Sequence, residues 1–369
     1  MSDELKIGEF SVTSMQRVLK LSTLSKSIVD AQYAVRGELA IKAENMEHEG
    51  KKIIHCNIGN PQALNQKPIT FIRQVSALCD YPELINFDFP IDVKHRASQI
   101  LASCKSVGAY SNSKGIPYIR QKVAKYIEDR DGHSSHFHNI YLTDGASPAV
   151  QLVLKLLIQH EHVGIMIPIP QYPLYSAAIV LNGGTIVPYH MSEQGGWEIS
   201  LNNIKESVLK SKQQGIDVRA ICVINPGNPV GNVMSLKSMQ NIIKFCYDNG
   251  LVLLADEVYQ TNVYLSKPWY SFKKVLMEMP EYKDKVELFS FHSTSKGVIG
   301  ECGRRGGYME AVNIDEQVLE QVYKLLSINL CSNVMGQIGI DLMVDPPKVG
   351  DPSYALYKQE TKEIFGILN

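Results

Sequence analysis

The sequence predicts an α/β protein in which a large domain has a mostly parallel central sheet flanked by helices. Continuous apolar runs of four to seven residues, bounded by turn residues, are typical of strands that are buried on both faces. From about Tyr110 these runs alternate with amphipathic helical segments, which favours parallel strands joined by helical crossovers. The length of 369 residues exceeds one typical core, so we expect a large and a small domain.

The N-terminal region is expected to consist of an arm and one helix. The helix is predicted from Ile28 to Glu49, because this segment has an apolar stripe and ends at Gly50, a residue type favoured just after helices. A short apolar run over residues 53–58 then leads into a turn at Gly59-Asn60-Pro61.

The elements of the sheet follow from the same patterns. The predicted strands are Ile140–Thr143, Val163–Ile169, Arg219–Asn225, Leu251–Asp256, Val286–Phe291 and Gly307–Ala311. Helices are predicted at Ala149–His160 and Ser235–Asn249. In the turn that precedes the first of these helices, Ser147 is a favourable N-cap and Pro148 suits the first helical position.

Composition and charge argue against several classes of function. A net charge of -1 lacks the basic excess of nucleic-acid-binding proteins, and no apolar stretch approaches the ~18 residues that span a bilayer. The seven cysteines are scattered and never spaced C-x-x-C, which indicates reduced thiols. The N-terminus carries acidic residues early and lacks an apolar signal segment, so we expect a cytoplasmic protein.

Polar residues with unusual neighbours lie just past the predicted strands. The carboxyl edge of an open α/β sheet is where such proteins bind ligands. The candidates at this edge are Gly145, Ala146, Ser147, Asn228, Asp256, Tyr259, Ser293 and Lys296. Each alone has an ordinary structural explanation, such as a helix cap or a solvated strand end, so the common placement is the stronger evidence for a site.

Two of these residues suggest a particular chemistry. Asp256 ends an apolar strand, and a buried carboxylate there is suited to keeping a pyridinium nitrogen protonated. Lys296 follows another strand among hydroxyl residues and a glycine, and an imine-forming lysine needs a desolvated or cationic setting. Arg304 and Arg305 supply positive charge nearby and are suited to phosphate oxygens. The small residues at 145–147 leave backbone amides open to an anion.

These segments resemble the class I, fold-type I aminotransferases that depend on pyridoxal 5'-phosphate (PLP), and among them the alanine aminotransferases. The resemblance runs from about Tyr33 to Pro347, which is most of the chain. The most specific matches are Pro68–Val75, Ile167–Tyr175 (IPIPQYPLY), Cys222–Gly231 (CVINPGNPVG), Leu253–Tyr259 and Ser290–Gly307 (SFHSTSKGVIGECGRRGG).

The resemblance implies a role for each matched residue around the cofactor ring. Lys296 would be the Schiff-base lysine and the acid–base that moves a proton between the substrate α-carbon and the cofactor. Asp256 would pair with the pyridine nitrogen, while Asn228 and Tyr259 would hydrogen-bond the phenolic oxygen. Tyr172 would stack on the pyridine ring.

The remaining implied roles concern the phosphate, the neighbouring subunit and the substrate. The phosphate would be held by Ala146, Ser147, Ser293 and an arginine. Arg305 is preferred to Arg304 because it fits the Arg-x-Gly-Tyr/Trp spacing of the family. Tyr110 would reach the phosphate of the other subunit of a homodimer, and Gly59 would lie near the substrate carboxylate.

The resemblance also implies a domain organisation. Residues 1–75 would form an N-terminal arm and the first part of a small domain, 76–342 the PLP-binding large domain, and 343–369 the start of the C-terminal small-domain segment. The chain ends within the first helix of that segment, so we expect an incomplete small α/β domain. The substrate-carboxylate arginine of the family lies further along, so we expect a shortened chain or impaired catalysis.

The activity implied by the resemblance is ping-pong transamination, in which L-alanine and 2-oxoglutarate give pyruvate and L-glutamate. The partners would be small amino acids, 2-oxo acids and a second subunit, with neither nucleic acid nor membrane. Because one fold hosts several reactions, two alternatives stay open. They are a PLP lyase and a PLP-binding protein that has impaired catalysis or a regulatory role.

A third alternative is a metal site. His133, His136 and His138 lie close together in the sequence, with His160 and His162 further on. Their segment is rich in turn residues, and a metal site needs a convergent geometry that this spacing does not supply. We therefore favour a solvated loop and expect no metal.

Overall fold

One sheet of eight strands forms the centre of the described structure. The structure is a computed structural model that describes residues 18–33, 35, 37–55, 59–264 and 267–368. The strands are β1 (Ile140–Thr143), β2 (Val163–Ile169), β3 (Thr185–Ser192), β4 (Glu198–Ile199), β5 (Asp217–Ile224), β6 (Val252–Asp256), β7 (Leu288–Ser293) and β8 (Gly307–Val312). Their order across the sheet is β1-β8-β7-β6-β5-β2-β3-β4.

The sheet is mostly parallel, as the sequence predicts. Strands β7, β6, β5, β2 and β3 pair in parallel. Strand β8 is antiparallel to both β7 and β1, so β1 runs in the same direction as the parallel strands, and β4 is antiparallel to β3. The carboxyl ends of β1, β2, β5, β6 and β7 therefore meet at one edge, where β8 begins.

Helices cover both faces of the sheet. In the described residues they are α1 (Lys26–Asp30), α2 (Glu38–His48), α3 (Thr70–Asp80), α4 (Ile91–Cys104), α5 (Pro117–Asp131), α6 (Ala146–Leu157), α7 (Leu174–Leu181), α8 (Leu201–Gln213), α9 (Leu236–Asn249), α10 (Phe272–Met277), α11 (Glu316–Ile328), α12 (Val334–Val344) and α13 (Tyr354–Leu368). None of the described helices combines the length and apolar character needed to cross a bilayer.

Among the described residues, three apolar cores hold these layers together. One lies between the sheet and helices α6 and α7, and a second lies on the opposite face under α8, α9 and α10. The third joins α3, α4, α5, α12 and α13 to the β1–β8 side of the sheet. Because side chains alternate across a strand, residues that follow one another at the end of β6 enter different cores.

The predicted elements agree with the structure best where apolar runs are long. The strand Val163–Ile169 has the predicted limits, and the helix predicted from Ser235 begins at Leu236 with Ser235 as its N-cap. The single helix predicted from Ile28 to Glu49 is wrong, because the structure has two separate helices, α1 and α2, in that region. Residues 56–58 of the predicted apolar run lie outside the described residues.

The predicted start of α6 is also wrong. The helix begins at Ala146 and its N-cap is Gly145, so Ser147 is the second helical residue and not the cap, and Pro148 is the third. Gly145 has φ +90°, a conformation that glycine adopts without a Cβ clash, and this lets the helix start early. Pro148 is tolerated because first-turn amides have no intrahelical acceptor.

The domain limits at 75/76 and 342/343 stay predictions. They fall within α3 and α12, two helices that pack against each other in the third core.

Candidate active site

A buried carboxylate lies at the carboxyl end of β6. Asp256 is only 5% exposed, and its Oδ2 accepts a hydrogen bond from the Tyr175 hydroxyl at 2.8 Å. Its Oδ1 accepts from the Val258 amide at 3.3 Å. Burial raises the pKa of Asp256, whereas the Tyr175 and Val258 hydrogen bonds and the charge of Lys296 lower it. The carboxylate is thus fixed in orientation and would be stabilised by a nearby cation.

Tyr175 is a site residue that the sequence reasoning did not single out. It lies in the first turn of α7 and is fully buried, and its hydroxyl donates a hydrogen bond to Asp256. The only signal in the sequence was its position three residues after Tyr172 within the family-like segment Ile167–Tyr175. A tyrosine in an apolar helix is usually core, so the pattern alone does not identify it.

The amine of Lys296 lies close to two other candidates. Its Nζ is 5.1 Å from the centroid of the Tyr259 ring. A Cβ atom added at Gly59 would be 3.8 Å from the same Nζ, so the absence of a side chain at 59 leaves space beside the amine. The backbone after the lysine is fixed by Asn262, whose Oδ1 accepts a hydrogen bond from the Gly297 amide at 2.9 Å.

Two polar side chains from neighbouring strands face each other beside this amine. Asn228 follows β5 and Tyr259 follows β6, and Asn228 Nδ2 donates to the Tyr259 hydroxyl at 3.4 Å. Both residues are half-buried. The structure therefore brings together Asn228, Tyr259 and Lys296, which the sequence places just past strands, and Gly59, which only the family resemblance indicated.

Tyr172 follows β2 and contacts Tyr33, which lies in the segment between α1 and α2. Its hydroxyl is 2.9 Å from the hydroxyl of Tyr33, and the two rings meet edge to face with centroids 6.5 Å apart. Burial is the main cause that raises the pKa of Tyr172, the hydrogen bond with Tyr33 is the next, and interactions with Tyr259 and Asp256 raise it further.

The start of α6 forms a cradle suited to an anion. First-turn amides of a helix lack intrahelical acceptors and lie at the positive end of the helix dipole. Arg305 reaches over this turn, with Nη2 donating to the Asp144 carbonyl oxygen at 3.0 Å. A Cβ atom added at Gly145 would lie 2.5 Å from Arg305 Nη2, so only glycine allows this close approach. Ala146 and Ser147 supply the first two helical amides.

Ser293 adjoins the same cradle. It is the last residue of β7 and pairs with Gly307, the first residue of β8. A Cβ atom added at Gly307 would lie 2.4 Å from the carbonyl carbon of Gly145, so the two backbones are in close contact. Ser293 is 3% exposed, and its Oγ accepts a hydrogen bond from the Ser295 amide at 3.3 Å.

The two neighbouring arginines point to different places. Arg304 Nη1 donates to Ser76 Oγ at 3.0 Å, and its Nε lies 3.4 Å from a carboxylate oxygen of Glu301. Only Arg305 reaches the start of α6. This geometry favours the choice of Arg305 over Arg304 as the anion-binding arginine.

Tyr110 lies apart from the other candidates. It precedes α5, and 79% of its surface is exposed. No hydrogen bond or ring contact joins it to another candidate within the described part of the chain.

The histidine-rich segment contains no metal-like cluster. His133 Nε2 is 4.0 Å from a carboxylate oxygen of Glu278, and His160 and His162 are neighbours with ring centroids 6.0 Å apart. Across the described ranges, no group of three or more His, Cys, Asp or Glu side chains is arranged to hold a metal ion.

Comparison with known proteins identifies the relatives of this chain. The family model "Aminotransferase class I and II" matches residues 77–365. Alanine aminotransferase 2 of Panicum miliaceum is 46% identical over 368 residues, which cover 95% of this chain and 76% of that protein. Glutamate–glyoxylate aminotransferase 1 of Arabidopsis thaliana is 49% identical over 357 residues, which cover 95% of this chain and 74% of that protein.

The fold is shared with solved structures at lower identity. An alanine aminotransferase from Pyrococcus furiosus aligns with a TM-score of 0.72 at 21% identity, over 92% of this chain and 75% of that one. The resemblance inferred from the sequence motifs is thus confirmed. The chain belongs to the class I and II aminotransferase family and is a PLP-dependent aminotransferase.

Proposed function

We propose that the carboxyl edge of the sheet is the PLP site and that the enzyme transfers the amino group of L-alanine to 2-oxoglutarate. The observation that carries this proposal is the approach of the Lys296 amine to Tyr259 and Gly59, just past β7, whose paired neighbour β6 ends at the buried Asp256. PLP chemistry requires an amine and a buried acid, and both lie at the carboxyl edge of this sheet.

The residues present fit the cofactor at both of its ends. Burial of Asp256 costs free energy unless a cation offsets it, and a protonated pyridine nitrogen is such a cation. At the other end, Gly145 and Arg305 form a cradle that a Cβ atom would fill, at a helix start suited to phosphate. Ala146, Ser147, Ser293 and Arg305 would hold the phosphate there.

Lys296 would carry out the proton transfers of the reaction. When bound, PLP supplies an aldehyde for amino groups and an electron-withdrawing ring that stabilises negative charge at a substrate α-carbon. Once the substrate amino group has replaced it at the aldehyde carbon of the cofactor, the Lys296 amine would take the proton from the substrate α-carbon. It would then deliver that proton to the former aldehyde carbon. The space left by Gly59 beside Nζ is where the substrate carboxylate would lie.

The other side chains would orient and tune the ring. Asp256 would hold the ring nitrogen in its cationic form, with Tyr175 fixing the carboxylate. Asn228 and Tyr259 would donate hydrogen bonds to the phenolic oxygen, and Tyr172 would lie against the face of the ring. Because each of these groups is fixed before substrate binds, little reorganisation is needed during reaction.

The substrates follow from the relatives. The matched plant proteins are named for alanine and for glutamate and glyoxylate, and both are nearly half identical to this chain. We propose L-alanine as donor and 2-oxoglutarate as acceptor. Glyoxylate is a second candidate acceptor, because the relative named for it is 49% identical.

A half-reaction assay tests this proposal. Purified protein loaded with PLP is mixed with L-alanine or L-glutamate, and the loss of cofactor absorbance is followed with pyruvate or 2-oxoglutarate release. We expect conversion to the pyridoxamine form with alanine, and its reversal by 2-oxoglutarate faster than by glyoxylate. Elimination or decarboxylation products would indicate a lyase, and an unchanged spectrum would indicate a PLP-binding protein without transaminase activity.

We also propose a homodimer in which Tyr110 acts on the phosphate of the other subunit. Its exposed side chain supports this arrangement. Mixing Lys296→Ala and Tyr110→Ala chains tests it, because one site in each mixed dimer would then carry both native residues. We expect activity above that of either variant alone; mixed chains no more active than the separate variants would contradict the proposal.

The cytoplasm is the location that we propose for the protein. The six cysteines in the described residues are all free, which is typical of a reducing compartment. Fractionation of cells that express the full chain tests this, and enrichment in an organelle would contradict it.

A further inference from the structure

A buried polar cluster lies on the face of the sheet opposite Asp256. Glu257 follows Asp256 directly, and its amide donates to the Phe291 carbonyl oxygen at 3.0 Å, which continues the strand ladder. Because side chains alternate across a strand, Glu257 points away from the PLP side. It is 1% exposed, and its Oε1 accepts a hydrogen bond from the Phe272 amide at 2.7 Å. This bond joins the two ends of the 257–272 segment, meaning residues 257 to 272 apart from 265–266, which lie outside the described residues.

Arg130 clamps this segment from the end of α5. Its Nη1 donates to Gln260 Oε1 at 2.8 Å, and its guanidinium carbon lies 5.5 Å from the centroid of the Trp269 ring. The guanidinium is itself fixed by Asp131, with Nε to Oδ1 at 2.8 Å and Nη2 to Oδ2 at 2.7 Å. Gln260 in turn donates from Nε2 to the Glu257 carbonyl oxygen at 3.1 Å.

The clamped segment carries two residues that contact the active site. Tyr259, adjacent to Gln260, receives the Asn228 hydrogen bond and lies beside the Lys296 amine. Asn262 binds the Gly297 amide, immediately after the lysine. Arg130 is therefore hydrogen-bonded to Gln260, the residue next to Tyr259 in the chain, although Arg130 lies on the other face of the sheet.

We propose that Arg130 is a positioning residue that acts through Gln260 to hold Tyr259 and the Lys296–Gly297 backbone in place. This inference rests on the proposed function of Tyr259 and Lys296. Arginine is suited to the task because its planar fork bonds Asp131 with two nitrogens while a third reaches Gln260. A lysine has the charge but cannot make this set of bonds at once.

The chain offers a matched control for the substitution of Arg130. The side chain of Arg96 is 14% exposed against 15% for Arg130, so the two are buried alike. The Arg96 fork also bonds acidic residues, Asp341 and Asp345, and none of its bonds in the described structure involves the 257–272 segment. Arg96→Lys thus reproduces the loss of a buried fork without disturbing Tyr259.

The experiment uses the full chain loaded with PLP and measures four quantities. These are the thermal midpoint, the pH midpoint of the visible absorbance of the bound cofactor, and kcat and KM with alanine. Arg130→Lys and Arg96→Lys are compared with Gln260→Met, which removes the acceptor and keeps the Arg130–Asp131 pair. If Arg130→Lys does not fold, Gln260→Met carries the test.

We expect both arginine variants to lower the thermal midpoint to a similar extent. Because a displaced Tyr259 would donate less well to the phenolic oxygen, Arg130→Lys and Gln260→Met should raise the absorbance midpoint by about 0.5–1 pH unit, and Arg96→Lys should not. We expect kcat to fall roughly tenfold in the first two variants, with KM changed less than about twofold.

Two outcomes would overturn the inference in different ways. If Arg130→Lys and Gln260→Met have the absorbance midpoint and kcat of Arg96→Lys, Arg130 only stabilises the fold, while the proposed function stands. If the wild-type protein shows no visible band that is lost in Lys296→Ala, the proposed function itself fails, and the role of Arg130 fails with it.

Discussion

Replacing Tyr175 with phenylalanine tests how the protein fixes the acid beneath the cofactor. The substitution removes one hydroxyl and leaves the ring in its fully buried position, so packing is nearly unchanged. It deletes the 2.8 Å hydrogen bond to Asp256 Oδ2, which is one of the interactions that lower the pKa of this carboxyl. The buried carboxylate then has fewer donors and a higher affinity for a proton.

The size of the effect follows from the type of bond that is lost. A hydrogen bond to a charged group contributes about 1.5–3 kcal/mol. Its loss should therefore raise the pKa of Asp256, because the charged form loses one of its donors. The carboxylate would then compete for the proton of the ring nitrogen, and the rate of the alanine half-reaction should fall by roughly 10- to 150-fold.

Tyr189→Phe is the matched control for this prediction. Tyr189 is equally buried, and its hydroxyl donates to the Cys222 carbonyl oxygen at 2.7 Å, without a contact to Asp256. The assay is stopped-flow absorbance of PLP-loaded protein mixed with L-alanine, with free energies of unfolding measured alongside. Both variants should lose stability, but only Tyr175→Phe should react slowly. Equal half-reaction rates in the two variants would refute the reasoning.

Three further predictions concern the buried acid, the phosphate cradle and its arginine. Burial raises the pKa of Glu257 from 4.5 to about 8. Between about pH 5 and 8 the folded protein therefore keeps a proton on Glu257 that the unfolded chain has lost. The free energy of unfolding of the wild-type protein should consequently fall as the pH rises through this range. Glu257→Gln should not show this pH-dependent fall when the free energy of unfolding is measured with urea. If the difference in unfolding free energy between the variant and the wild type is the same at every pH, the prediction is wrong. Gly145→Ala should cost about 1–3 kcal/mol for its backbone conformation and weaken PLP binding, whereas Gly132→Ala, where a Cβ meets nothing within 4 Å, should leave PLP affinity unchanged. Arg305→Lys should weaken PLP binding roughly tenfold more than Arg304→Lys in equilibrium dialysis, and the reverse order would show that the wrong arginine was chosen.

The sequence predicts the strands of the sheet well where a continuous apolar run marks the strand. Strand β2 has the predicted limits because its apolar run is bounded by His162 on one side and by Pro170 on the other. Strand β3 was missed, because only its middle residues alternate between buried and exposed positions and Pro188 interrupts the strand pattern. Which strand runs antiparallel depends on pairing between distant segments, so the reversed direction of β8 is not contained in any local pattern.

The candidate site could be predicted as far as it depends on strand ends. Asp256 stands out because a charged residue ends an apolar strand, and Lys296 stands out because it follows a strand among hydroxyl residues and a glycine. Tyr175 and Arg130 do not, because a buried tyrosine and a helix-terminal arginine have ordinary sequence surroundings and gain their importance only from contacts made by folding. The early start of α6 was missed for a similar reason, since the conformation of Gly145 depends on its contacts with Arg305 and Gly307.

The attachment point of the cofactor is the most direct test of the whole account. Full-length protein loaded with PLP is reduced with borohydride, digested, and mapped by mass spectrometry, with Lys296→Ala treated in parallel. A pyridoxyl label on the peptide that contains Lys296, absent from the variant, is the predicted result. A label on a different lysine, or none despite tightly bound cofactor, would contradict the assignment of this sheet edge as the active site.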